Sequence, residues 1–125
     1  MERNKGWIKL YRSLMDSTLW KETTPQQKVV MITLLLSVNH KDTEWFQNGI
    51  QYTCRPGQFK TSLDAIASLC GKGVSVQNVR TALRKMEEHG FLKSESTNAG
   101  RIITLLKWDC YQNQGYGADK SFNRR

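Results

Sequence analysis

The chain has 125 residues, which suits one domain able to bury about two-thirds of its unfolded surface without disulfides or metal. Its 38% hydrophobic and 24% charged residues exclude a disordered or fibrous protein. The 19 Lys and Arg against 11 Asp and Glu leave a formal charge of +8, which favours a polyanionic partner such as nucleic acid or an acidic membrane surface.

Residues 1–70 carry 9 basic and 6 acidic side chains and residues 71–125 carry 10 and 5, so the excess leans toward the C-terminal half. No run approaches the ~20 apolar residues of a membrane span, and Met1 precedes a polar segment rather than a signal-peptide core. The expectation is a cytoplasmic protein without a membrane partner. Cys54, Cys70 and Cys110 are odd in number and widely spaced, which fits neither a disulfide framework nor paired zinc ligands. They read as reduced and structural.

In chain order, Trp7, Ile8, Leu10, Tyr11, Leu14 and Met15 recur at the spacing of an amphipathic helix. Leu19 and Trp20 close a short irregular segment. Thr24-Pro25 is a helix start, because Pro at the first helical position lacks only an N–H that would be unpaired anyway. From Gln27 to Val38 the sequence is apolar on nearly every side, which places that helix in the middle of the domain. Residues 39–49 are polar with Trp45 and Phe46 embedded, and Ile50 to Cys54 reads as a short strand after Gly49. Pro56-Gly57 marks a turn.

Thr61 or Ser62 can cap the next helix, which carries Leu63, Ile66, Ala67 and Cys70, with Asp64 in its first turn near the positive end of the dipole. Gly71-Lys72-Gly73 breaks it. A second helix starts behind Ser75 and runs to about His89, where Gly90 supplies the left-handed C-terminal position. Phe91 to Thr97 and Arg101 to Trp108, flanking Asn98-Ala99-Gly100, read as a β-hairpin with a three-residue connection. Beyond Tyr111 little is left to bury. The expected organisation is a domain over residues 1–112 and a polar flexible tail or linker start over 113–125.

Helix, glycine turn, helix and hairpin follow the order of a winged helix-turn-helix, mainly α with a small β component (α+β), whose second helix enters the DNA major groove while the hairpin reaches the backbone. At 100° per residue, Val76, Val79, Ala82, Leu83 and Met86 fall on one side of the second helix and face the core. Gln77, Asn78, Thr81, Arg84 and Lys85 fall on the other, with Arg80 on the flank. These are side chains that read base edges or hold phosphates: Arg on guanine, Asn or Gln on adenine, Thr on either. That face has no acidic residue until Glu87 and Glu88, and Ser75 sets the positive helix end beside it. Lys72 in the turn and Arg101 in the hairpin are candidates for backbone contact.

Other signals carry less. Gly71-Lys72-Gly73 lacks the spacing of a phosphate loop and no strand leads into it. His40 and His89 have no partner at metal or catalytic spacing, and His89 fits a cation or hydrogen-bond donor at a helix end. The Ser and Asp residues match no nucleophile motif. No enzyme, cofactor or metal is expected. Trp7, Trp20, Trp45 and Trp108 read as core or interface anchors rather than base-stacking platforms.

Several ordered motifs resemble one family. Gly6-Trp7-Ile8-Lys9-Leu10-Tyr11-Arg12, Asp16-Ser17, Leu19-Trp20, Pro56-Gly57-Gln58-Phe59 with Ser62, Val76 through Leu83, Ser96-Thr97-Asn98, and Trp108 with Tyr111 and Gln112 are similar to the N-terminal domains of phage replisome organisers and DnaD-like primosomal proteins. The resemblance implies a winged helix that binds double-stranded DNA at a replication origin or self-associates, alongside other replication proteins. Relative to that family, the turn at Gly71-Lys72-Gly73-Val74 is lengthened by about two residues. The family's C-terminal domain, which handles single strands and recruits helicase, has no counterpart here, so those roles are not carried over. Two alternatives stand beside DNA binding in replication initiation: an oligomerisation module pairing as a homodimer through the aromatic N-terminal segment, and a transcriptional regulator of the same fold.

Overall fold

The computed structural model describes residues 6–39, 41–98 and 100–106. Within them the chain is an α+β protein of four α-helices and two small antiparallel sheets. The helices are α1 (Thr18–Glu22), α2 (Pro25–Ser37), α3 (Leu63–Cys70) and α4 (Val76–Glu88). The strands are β1 (Thr43–Gln47), β2 (Ile50–Cys54), β3 (Gln58–Thr61), β4 (Leu92–Thr97) and β5 (Gly100–Leu105).

Each longer helix begins where a side chain takes over an orphan backbone donor. Thr24 accepts from the Gln27 N–H at 3.1 Å while the Gln27 side chain accepts from the Thr24 N–H at 3.0 Å, a reciprocal cap with Pro25 behind it. Ser62 caps α3 through the Ala65 N–H at 3.0 Å, which decides between the two capping candidates. α2 is buried along Val30, Met31, Leu34 and Leu35, but Val29 and Leu36 remain exposed, so it is central on one face only.

The N-terminal apolar spacing does not produce the expected amphipathic helix. Residues 6–11 have no regular structure and Arg12–Asp16 form a short 3-10 turn. Ile8 and Leu14 pack against the core, but Trp7, Leu10 and Met15 are exposed, and a short helix with so little tertiary packing is marginal. The turn is closed by Ser17, whose N–H and hydroxyl both donate to the Leu14 carbonyl. Ser17 also caps α1, where an irregular segment was expected, by accepting from the Trp20 N–H.

Two strands add to the sequence reading. β1 pairs with β2 around Asn48-Gly49, whose positive φ values of 54° and 79° suit the two-residue turn that matches strand twist. β3 joins β5 in a sheet of order β3-β5-β4, so α3 and α4 are inserted between the edge strand and the β4–β5 hairpin. Gln58 holds the corner: its side chain accepts from the Arg55 N–H at 2.8 Å and donates to Thr104 Oγ1 at 3.0 Å. In the β4–β5 hairpin Thr97 pairs with Gly100, which shortens the connection to residues 98–99.

One core joins these parts. Met31, Leu34, Ile66, Val79, Ala82, Met86, Leu92 and Ile103 are fully or nearly fully buried together, so α2, α3 and α4 pack on one another and on one face of the three-stranded sheet. Cys54 is buried and Cys70 half-buried, both as free thiols. Cys110, Trp108, His40 and the proposed tail over 113–125 lie outside the described residues. Among the described residues no helix is long and apolar enough to cross a membrane.

Candidate nucleic-acid interface

The α3–α4 turn depends on glycine. Gly71 and Gly73 have φ of 86° and 92°, a left-handed backbone that L side chains rarely adopt, and between them Lys72 is exposed. Ser75 then starts α4 by accepting from the Asn78 N–H at 3.0 Å, while the Asn78 carboxamide oxygen accepts from the Ser75 N–H at 2.9 Å. Asn78 therefore holds its carboxamide oxygen against the cap, while a second lone pair and the amide NH2 remain outside that contact. A polar residue three positions after a capping Ser is the sequence signal for this capping role, which stands beside the expected base contact.

On α4 the core face is as expected for Val79, Ala82, Leu83 and Met86, whereas Val76 is only half-buried. The polar face divides in two directions. Lys85 is half-buried and turns toward α1, its ammonium 3.5 Å from the Glu22 carbonyl. His89, at the end of α4, lies on the same side, with Nδ1 3.1 Å from the Lys85 carbonyl and Nε2 3.3 Å from Glu22 Oε1. Gln77 stands exposed between the two sides: Nε2 donates to Thr81 Oγ1 at 3.2 Å and Oε1 accepts from Arg80 Nη1 at 3.3 Å. Thr81 is half-buried beneath it.

The opposite edge of α4 faces the β4–β5 hairpin. Arg80, Leu83, Arg84 and Glu87 follow i, i+3, i+4, i+7 spacing and so form one stripe, which lines a cavity of about 180 Å³ together with Leu63, Ser94 and Arg101. Arg101 projects from the same face of β5 as the buried Ile103 and Leu105, since alternate strand residues share a face, and its Nη1 donates to Ser94 Oγ at 2.8 Å. Glu87 supplies the cavity's one carboxylate, and its Oε2 accepts from the Ser94 N–H at 2.9 Å. Among the described residues, Arg80, Arg84, Arg101 and Lys72 form no ion pair with a carboxylate.

Among the described residues, three arginines thus line a recess with one carboxylate that is already engaged, and their guanidinium groups keep donor hydrogens to spare. Such a recess attracts anions and is poor at base catalysis. Of the eight residues singled out in the sequence, the fold gathers Arg80, Arg84 and Arg101, leaves Gln77, Thr81 and Lys72 outside the cavity, and engages Asn78 at the α4 cap and Lys85 at the Glu22 carbonyl. Ser94 and Glu87 as cavity walls were not anticipated. Among the described residues no cluster of His, Cys, Asp and Glu could hold a metal ion.

No protein-family model, curated protein or solved structure matches the chain.

Proposed function

We propose that α3, its turn, α4 and the β4–β5 hairpin constitute a winged helix-turn-helix that binds double-stranded DNA without catalysing a reaction, within a phage-type or plasmid-type replication initiation protein. The order of elements and the packing of the hairpin against α4 support the fold reading. α4, with 13 residues, is about 20 Å long, and its exposed Gln77 is suited to base edges in a major groove. The observation that carries the reading is the convergence of Arg80 and Arg84 on α4 with Arg101 on β5, which joins helix and hairpin in one cationic surface. The replication role rests on the motif resemblance to replisome organisers and DnaD-like proteins; a transcriptional regulator would have the same surface.

A second reading is an assembly module. Trp7, Leu10 and Met15 are 78%, 53% and 63% exposed in the N-terminal segment, an apolar surface suited to a second copy of the chain. One experiment separates the two: fluorescence anisotropy with random and origin-derived duplexes, with light scattering on the same preparation. DNA binding is abandoned if no duplex is retained at about 50 mM salt, where the electrostatic contribution is strong, while the protein remains a dimer that Trp7→Ala dissociates.

A further inference from the structure

We infer that the cavity between α4 and the β4–β5 hairpin is a one-phosphate site, and that its occupant is a single backbone phosphate of duplex DNA. The inference deepens the proposed function and rests on it for the occupant, though not for the chemistry.

The chemistry follows from the walls. Arg80 and Arg84 line the recess from α4 and Arg101 lines it from β5, so an anion there can be met by donors from two elements, which suits a tetrahedral oxyanion. Arg101 is half-buried and fixed to Ser94 Oγ at 2.8 Å, so little of its freedom remains to be lost on binding. Leu63 and Leu83 complete the lining beside the three arginines. Glu87 would repel an anion, but it is held by the Ser94 N–H and therefore fixes the distance between helix and hairpin. A phosphodiester has one negative charge and two free oxygens, and it can reach this recess from the protein surface with its chain continuing on both sides. A carboxylate offers neither the tetrahedral spread nor that continuity. The site would set the position of the protein on DNA without reading sequence.

The test uses the full chain labelled with nitrogen-15, titrated first with inorganic phosphate and then with a random-sequence duplex, observing the arginine Nε–Hε resonances. Saturable shifts confined to Arg80, Arg84 and Arg101 are expected, with Arg101→Gln lowering phosphate affinity about tenfold or more. The same variant should flatten the salt dependence of duplex binding by about one unit, and Lys41→Gln, which removes an exposed charge elsewhere, should leave phosphate affinity unchanged. If Arg101→Gln unfolds, Arg84→Gln at an exposed helix position gives the same reading. Duplex binding with non-saturable phosphate shifts and an unchanged slope in these variants overturns the site and leaves DNA binding intact. Saturable phosphate binding without duplex binding overturns the DNA occupant together with the proposed function, and leaves a site for free phosphate.

Discussion

Glu87 on α4 accepts the backbone N–H of Ser94 on β4 at 2.9 Å, so one carboxylate both ties the hairpin to the helix and sits among the arginines. These two effects separate by substitution. Glu87→Ala removes the acceptor and should cost about 0.5–1.5 kcal/mol, the net worth of an ordinary hydrogen bond. Glu87→Gln retains an acceptor but removes the charge, and should tighten duplex binding severalfold at low salt. Thermal melts and anisotropy on both variants measure this; equal affinities for Glu87→Gln and the parent chain would place the phosphates elsewhere.

Thr81 and Arg84 face away from the core, so replacing both with Ala should weaken duplex binding while changing stability by no more than about 0.5 kcal/mol. Leu83 is 4% exposed on the adjoining face, and Leu83→Ala should cost about 2–5 kcal/mol, the range for a buried leucine. Denaturant unfolding of both variants checks the faces of α4. An unaltered affinity in the folded double variant would remove that face from the interface.

Salt dependence distinguishes the cations. Lys72 and the shared site of Arg80, Arg84 and Arg101 are each placed to meet a phosphate, so log K against log salt should fall with a slope of about −1.8, at about −0.9 for each phosphate neutralised. Lys72→Ala or Arg101→Ala should flatten it by about one unit each while weakening all sequences alike. Lys85, grouped with them by sequence, is turned to the Glu22 carbonyl, and Lys85→Ala should leave the slope unchanged. A full unit lost with Lys85 would mean that its side chain swings outward on binding.

Burial pushes the Cys54 thiol above its ordinary pKa, opposed in part by the Lys60 ammonium, so less thiolate exists at any given pH. Thiolate is the reactive form. Iodoacetamide near neutral pH should therefore modify the half-buried Cys70 well before Cys54, as followed by peptide mass spectrometry. The advantage of Cys70 should shrink as pH rises toward the Cys54 value. Equal rates at neutral pH would show that the corner between β2 and β3 opens readily.

Helix starts were legible because they depend on atoms a few residues apart. Thr24-Pro25, Ser62 and Ser75 each place an oxygen within reach of a nearby N–H, and the sequence alone contains both partners. The buried stripe Val79, Ala82, Leu83 and Met86 was legible for the same reason, since helical spacing fixes which side chains share a face. The N-terminal segment marks the limit. Its spacing matches a helix as well as α4 does, yet Trp7, Leu10 and Met15 stay exposed and no helix forms. Asn48-Gly49 announced the first hairpin, and went unread because β1 is too short and polar to stand out.

Tertiary structure alone decided the rest. Four-residue β3 carries no strong period of its own, and only its pairing with β5, across the inserted α3–α4 unit, makes it a strand. The same topology brings Arg101 beside Arg80 and Arg84, and it turns Lys85 toward α1 although all four are cations of the same stretch. Sequence determined which residues are charged and which face of each helix they occupy. It could not determine which charges share a cavity, because that distance is set by how sheet and helices pack on their common core, not by separation along the chain.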